Sequence, residues 1–280
     1  MTYKTVLVCL DEVDRVNGLA AAAIWVAGLT GAHIRGLYVI PAAQIYPSTG
    51  FEAVPQVFEG HRTYFQDNKE AVRTAFEGAM QREGLVFDFL AVDGRTPLIS
   101  DEVVRHGRTS DLVLMRATDP DQAAGVELDF IERVVMAVGR PVLVLPRGGV
   151  AELKLDEVIV GWNGHREAAR AVFDGLPLLK AANSVRLVWV DPQRESDLEH
   201  SVAGADLAET LARHGVKAIA EGLPSGGMDA GQALLQRAGD TGGGLLVMGA
   251  YGHSRLRELV FGGATRLVLD KTALPVLMSH

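Results

Sequence analysis

The stretch GAYGHSRLRELVFGGAT, residues 249–265, holds the residue types and spacing best suited to chemistry in this chain. Gly249 follows the apolar run LLVM, Gly252 comes three residues later, and Gly262 and Gly263 stand just before the helical pattern ATRLVLDK. Glycine admits positive φ and lets a ligand approach the backbone closely. A helix starting near Ala264 would add unpaired N–H groups and a dipole that favours an anion. The chemistry suggested is phosphate binding by backbone amides, with Ser254 and Thr265 as hydroxyl donors and His253 and Arg255 as positive charge. The plainer alternative is a tight turn at Gly249 and Gly252 and a helix cap at Gly262 and Gly263.

Other chemistries find no footing. The sequence has no GxxxxGK[ST] loop, no GxSxG turn and no HExxH pair, and its histidines are scattered without ligand spacing. The lone cysteine, Cys9 in VLVCL, reads as a buried strand residue. GDTGGG, residues 239–244, precedes an apolar run instead of following one and reads as a flexible connection.

The elements that must position the loop come from a repeated plan. Residues 4–41 and 156–192 each read as apolar run, polar turn, helical stretch, second apolar run and proline. DLVLM followed by PVLVLPR (111–147) parallels LLVMG followed by PVLMSH (245–280). The offset is 152 residues from Asp11 to Asn163 but 134 from Pro141 to Pro275, so the second copy is shorter in its middle. The surplus in the first copy is the Pro-, Gly- and aromatic-bearing segment 42–62, and RGGVAELKL (147–155) reads as the joint. Two domains follow, 1–147 and 156–280, in keeping with a length of 280 residues.

Within each copy the runs VLVCL, IRGLYVI, FDFLAV, DLVLM and PVLVLP are continuous, as in strands buried on both faces. ISDEVVRHG and AGQALLQRAG between them carry apolar residues at helical spacing. Strand–helix alternation implies an α/β fold, an open parallel sheet with helices on both faces. Such sheets bind ligands at the carboxyl ends of the strands, where strand order reverses. The net charge of −8 and the lack of a Lys/Arg cluster argue against nucleic acid or an anionic membrane as partner. The longest apolar stretch, Gly18 to Ala32, is shorter than the ~20 residues a membrane helix needs, and no secretory leader is legible, so the expected location is cytoplasmic.

The spacing GxxG, nine residues, then Gly, met by Gly249, Gly252 and Gly262, resembles the glycine loop of the universal stress protein family. The VMG strand, the closing PVLV and PVLM strands and the doubled length extend the resemblance over the whole chain, as two tandem domains. It implies a Rossmann-like fold of the adenine nucleotide alpha hydrolase-like type. It also implies an ATP or AMP site, with Mg²⁺, in the second domain. The residues it assigns to nucleotide binding are Gly161, Asn163, Trp189, Val190, Gly249, Gly252, His253, Gly262, Gly263, Ala264 and Thr265. Two of them depart from the family pattern. Gly263 stands where a hydroxyl residue is usual, removing a hydrogen bond of about 1.5–3 kcal/mol that Thr265 would replace in part. Asn163 replaces an aspartate; it keeps both a donor and an acceptor, though Asn-Gly before a helix is also an ordinary turn.

The first copy keeps its strand-one acid, Asp11, but has Arg116 and Asp119 at the positions of Gly249 and Gly252. Side chains there block close approach to the backbone. This half is expected not to bind nucleotide in the family manner, leaving Asp11 as a cap or turn residue. Family dimers pair through the last strand, so PVLVLPR and PVLMSH are expected to meet within one chain, as an intramolecular domain pair about a pseudo-two-fold axis. A further homodimer and an unidentified protein partner stay open. The expected function is a nucleotide-responsive stress or regulatory protein. One rival is a slow ATPase, for which the motif supplies no carboxylate beyond an outward Glu258. The other is an interaction module using Tyr46, Phe51, Val54 and Phe58.

Overall fold

A computed structural model describes residues 2–43, 54–119, 126, 127, 129–150, 153–192, 200–252 and 263–280. The chain divides into two compact units, Tyr3–Arg140 and, from Pro141, the rest of the chain to His280. Each is an α/β sheet.

In the first unit the order is β1 (Thr5–Leu10), α1 (Val13–Thr30), β2 (His33–Ile40), α2 (Val54–Arg82), β3 (Phe87–Asp93), α3 (Ile99–Gly107), β4 (Leu112–Arg116) and α4 (Phe130–Val138). The strands lie side by side as β3-β2-β1-β4, all parallel. β1 and β4 are apolar without alternation because both faces are covered. FDFLAV was expected to be buried on both faces, but β3 is the outer strand and is half-buried along its length. The Phe76 ring of α2 stands edge-on to Phe87 and tilted against Phe89. That contact requires Gly36 on β2, where a Cβ would lie 2.7 Å from the Phe76 ring.

The second unit runs β5 (Val142–Leu145), β6 (Glu157–Gly161), α5 (Arg166–Asp174), α6 (Leu176–Ala181), β7 (Ser184–Val190), α7 (His200–Arg213), β8 (Ala218–Leu223), α8 (Ala230–Thr241), β9 (Leu245–Gly249), α9 (Gly263–Lys271) and β10 (Val276–Ser279). Its strand order is β5-β10-β9-β6-β7-β8. β10, β9, β6, β7 and β8 are parallel, and β5 joins antiparallel with Leu143 opposite Leu277. The two PVLV-type strands therefore do meet. β5, which sequence grouped with the first half, packs with the second.

GDTGGG is not a loose connection: residues 239–241 close α8, and the glycines at 242–244 turn tightly into β9. Gly242 ends α8 in the left-handed conformation at φ 69°, and a Cβ on Gly244 would lie 2.0 Å from the carbonyl oxygen of Lys154.

Candidate functional site

Strand order in the second unit reverses between β6 and β9, and the carboxyl ends of strands at such a reversal are where open α/β sheets bind ligands. Gly161 pairs with Met248 across the two strands, so the segments continuing through Asn163 and through Gly249–Gly252 leave the sheet at the same edge.

The glycines there are set by packing. A Cβ on Gly249 would lie 2.5 Å from both the Ala168 nitrogen and the Glu167 carbonyl carbon, so the first turn of α5 rests directly on this strand end. A Cβ on Gly161 would lie 2.8 Å from Leu234 Cδ1 of α8. The freedom to take positive φ is not used at Gly249, Gly252 or Gly263; the left-handed residue of this turn is Tyr251 at φ 56°. Asp191, at the exit of β7, is left-handed too, at φ 51°. Its carboxylate accepts from the backbone nitrogen of Ser225 at 2.8 Å and from the Ser225 hydroxyl at 2.6 Å. Two strained non-glycine residues thus stand at one sheet edge, a feature that gathers at functional sites.

Asn163 Oδ1 accepts from the His165 nitrogen at 3.1 Å, a turn that leads into α5. That turn does not use the two amide N–H donors of Asn163. Trp189 is core, 6% exposed, with its ring 3.7 Å from where a Cβ on Gly164 would stand. Val190 and Ala264 are half-buried and Gly263 is exposed. Thr265 is buried, and its Oγ1 accepts from the Tyr251 nitrogen at 3.3 Å, tying the start of α9 to the glycine turn. His253 and Gly262, with Ser254, Arg255 and Glu258, lie outside the described residues, as do Tyr46 and Phe51. The indole nitrogen of Trp162 is buried with no hydrogen-bond partner among the described residues.

Sequence reasoning missed two carboxylates at this edge. Glu167, in the first turn of α5, is 4% exposed, and its Oε2 lies 3.2 Å from where a Cβ on Gly252 would stand. Its Oε1 accepts from Arg166 Nε at 2.5 Å. Burial pushes the Glu167 carboxyl up, but the Arg166 hydrogen bond, its own backbone N–H and the charges of Arg166 and His280 together hold it below the usual range. Asp229 caps α8, its Oδ1 accepting from the Gly231 nitrogen at 2.7 Å, while its Oδ2 lies 3.3 Å from where a Cβ on Gly263 would stand. The N-cap was legible in sequence as Asp before a helical pattern. Its approach to α9 was not, since it depends on Gly231, where a Cβ would lie 2.6 Å from the Ala264 carbonyl oxygen.

The matching edge of the first unit is built differently. Arg15 holds the position that Glu167 holds in the other copy, and it is also 4% exposed. It binds Asp11 Oδ2 at 3.2 Å and Glu12 Oε2 at 2.9 Å. Asp11 is therefore the partner of a buried cation and not merely a turn residue. Burial pushes its carboxyl up, against the opposing pull of Arg15. Leu10, Asp11, Val39, Arg116 and Phe130 surround a cavity of about 10 Å³, room for roughly one water molecule. Cys9 beside it is buried, and burial pushes its thiol far up, which leaves it unreactive.

No family model matches the chain. A curated universal stress protein of Synechocystis is 25% identical over 293 residues, spanning 98% of this chain and 99% of its own. A universal stress protein structure from Archaeoglobus fulgidus superposes with a TM-score of 0.73 at 14% identity, covering 98% of this chain and 95% of its own. A putative universal stress protein structure from Pseudomonas aeruginosa gives 0.60 at 15% identity over 99% and 93%. The fold is that of the universal stress proteins, an α/β architecture with a largely parallel open sheet. Likeness over nearly the full length of a curated member bears out the resemblance read from the glycine spacing and the repeat. Among the described residues no helix is long and apolar enough to cross a membrane, and no three metal-ligating side chains cluster.

Proposed function

We propose that the second half binds ATP or another adenine nucleotide at the carboxyl ends of β6 and β9, and that the chain acts as a nucleotide-responsive stress or regulatory protein. The single observation that carries this reading is the glycine turn leaving β9 at Gly249 and Gly252, at the edge where strand order reverses. Three further features support it. Thr265 ties the two ends of the loop, Asn163 stands alongside, and the Trp162 N–H is a buried donor that lacks a protein acceptor among the described residues. The first half serves as a partner without a phosphate site: Arg116 and Asp119 replace the glycines.

The test is calorimetric titration of the purified chain with Mg·ATP beside Gly252→Val. The expected result is micromolar binding at about one site per chain, lost in the variant. Absence of heat, with no nucleotide released on denaturation, would overturn the reading.

A further inference from the structure

We propose that the chain forms a homodimer through the outer edge of β8. Two copies pair antiparallel about a two-fold axis at Ile219, so that Lys217 of each copy faces Glu221 of the other. Nothing in this contact requires a bound nucleotide.

β8 ends the strand order of the second unit, and no described strand pairs with its outer side. Its inner side is set by β7. The Lys217 carbonyl accepts from the Val185 nitrogen at 2.9 Å, and the Leu223 carbonyl accepts from the Asp191 nitrogen at 3.0 Å. Alternation along the strand then turns the backbone groups of Lys217, Ile219, Glu221 and Leu223 towards β7. The N–H and C=O groups of Ala218, Ala220 and Gly222 are turned outwards. Ala220 and Gly222 are exposed, as are Lys217 and Ile219, the last at 58%. Such a row of outward groups is a template for another strand.

Charge selects the partner and the register. Antiparallel strands bond only where outward groups meet outward groups, so the two-fold axis must pass through a residue and not between two. An axis at Glu221 sets two acids opposite each other, and an axis at Ala220 sets Ile219 against Glu221. An axis at Ile219 pairs Ala218 with Ala220, which exchange both N–H and C=O. Ile219–Ile219 and Lys217–Glu221 are then the non-hydrogen-bonded pairs, whose side chains approach most closely. Symmetry repeats the Lys217–Glu221 contact on both sides of the axis.

Glu221 is already held in position, by Arg186 Nη1 at 3.0 Å and by Arg237 Nη2 at 2.9 Å. A carboxylate has acceptor sites for a further donor, which an ammonium group supplies without displacing either arginine. The outer strand of the first unit lacks this self-complementarity. β3, Phe87–Asp93, carries two acids and no base, so no register of β3 against itself opposes unlike charges. A two-fold contact through β8 is also closed, and assembly stops at the dimer.

The experiment is sedimentation velocity of the full chain at about 1–100 μM, beside Lys217→Glu and Ala220→Pro. Wild type is expected to pass from monomer to dimer as concentration rises, and to dissociate at high salt. Lys217→Glu turns each attraction into a repulsion and should weaken the dimer about tenfold. Ala220→Pro removes an outward N–H that β8 does not use within the chain, so the dimer should be lost while the thermal melt stays as in wild type. Lys217 is exposed, so Lys217→Glu keeps its fold whatever the proline does. Under mild oxidation Ile219→Cys should give a covalent dimer, since the non-hydrogen-bonded pair brings its Cβ atoms close and Cys9 is buried and unreactive. A wild type that stays monomeric throughout would overturn the inference. So would a dimer untouched by both variants, which would put the contact elsewhere, or cross-linking of Ala220→Cys in place of Ile219→Cys. Species that grow beyond the dimer would mark a head-to-tail contact between unlike edges and would overturn it as well.

Discussion

The charges that matter most are those with least access to water. Arg15 lies among two acids, Asp11 and Glu12, and all three side chains are largely buried. Removing one member of such a cluster leaves its partners charged and unpaired. Arg15→Met is expected to cost about 3–5 kcal/mol, read as a lower denaturant midpoint for the first unit. Glu102 of α3 shows the opposite sign of perturbation from Asp11. Burial pushes its carboxyl up, but hydrogen bonds from Arg105 and Arg95 outweigh this and hold it below the usual range. A depressed folded pKa adds stability that is present above the unfolded value, about 4.3, and is lost as pH falls through the folded one. Urea melts from pH 6 down to pH 3 should show that loss in wild type. Glu102→Gln should flatten the curve in the same acid window; an unchanged slope would remove Glu102 from the account.

At the scale of elements, the glycines divide by what surrounds them. Gly249 is squeezed between β9 and the backbone of α5, which cannot retreat without moving the helix. Gly249→Ala is expected to destabilise the second unit by about 1–3 kcal/mol, the range for overpacking. Gly28 is exposed within α1, with nothing inside 4 Å of its Cβ position. Gly28→Ala is expected to stabilise by about 0.5–1 kcal/mol, because alanine loses less backbone entropy in a helix. Thermal melts of the two variants should move in opposite directions. Composition alone gives both positions the same letter, so only the neighbouring element tells them apart.

At the scale of the whole molecule, the boundary between units falls before β5 and not after it. β5 pairs with β10 through Val144–Val276, Leu143–Leu277 and Val142–Met278. A fragment of residues 141–280 is expected to fold with a cooperative melt. A fragment of residues 156–280, cut at the boundary read from sequence, would expose the edge of β10, whose four residues are all buried in the full chain. An unpaired apolar edge invites association. Size-exclusion chromatography should show the shorter fragment aggregating, and equal behaviour of the two would make β5 dispensable.

The sequence by itself determined the order of strands and helices, the repeat and which copy carries the glycine loop. Those are local properties: an unbroken β-branched run such as VLVCL, or helical spacing in ISDEVVRHG, carries its signal within a few neighbouring residues. Tertiary structure alone decided the rest. Nothing local marks β3 as half-exposed, because that depends on its being last in the sheet. Nothing local assigns positive φ to Tyr251 in place of the glycines around it. Glu167 precedes Gly252 by 85 residues and Asp229 precedes Gly263 by 34, so their approach exists only once α5 and α8 have packed against the strand and helix of the loop. The loop was legible because amide chemistry needs glycine in sequence. The acids beside it were not, because charge acts through space.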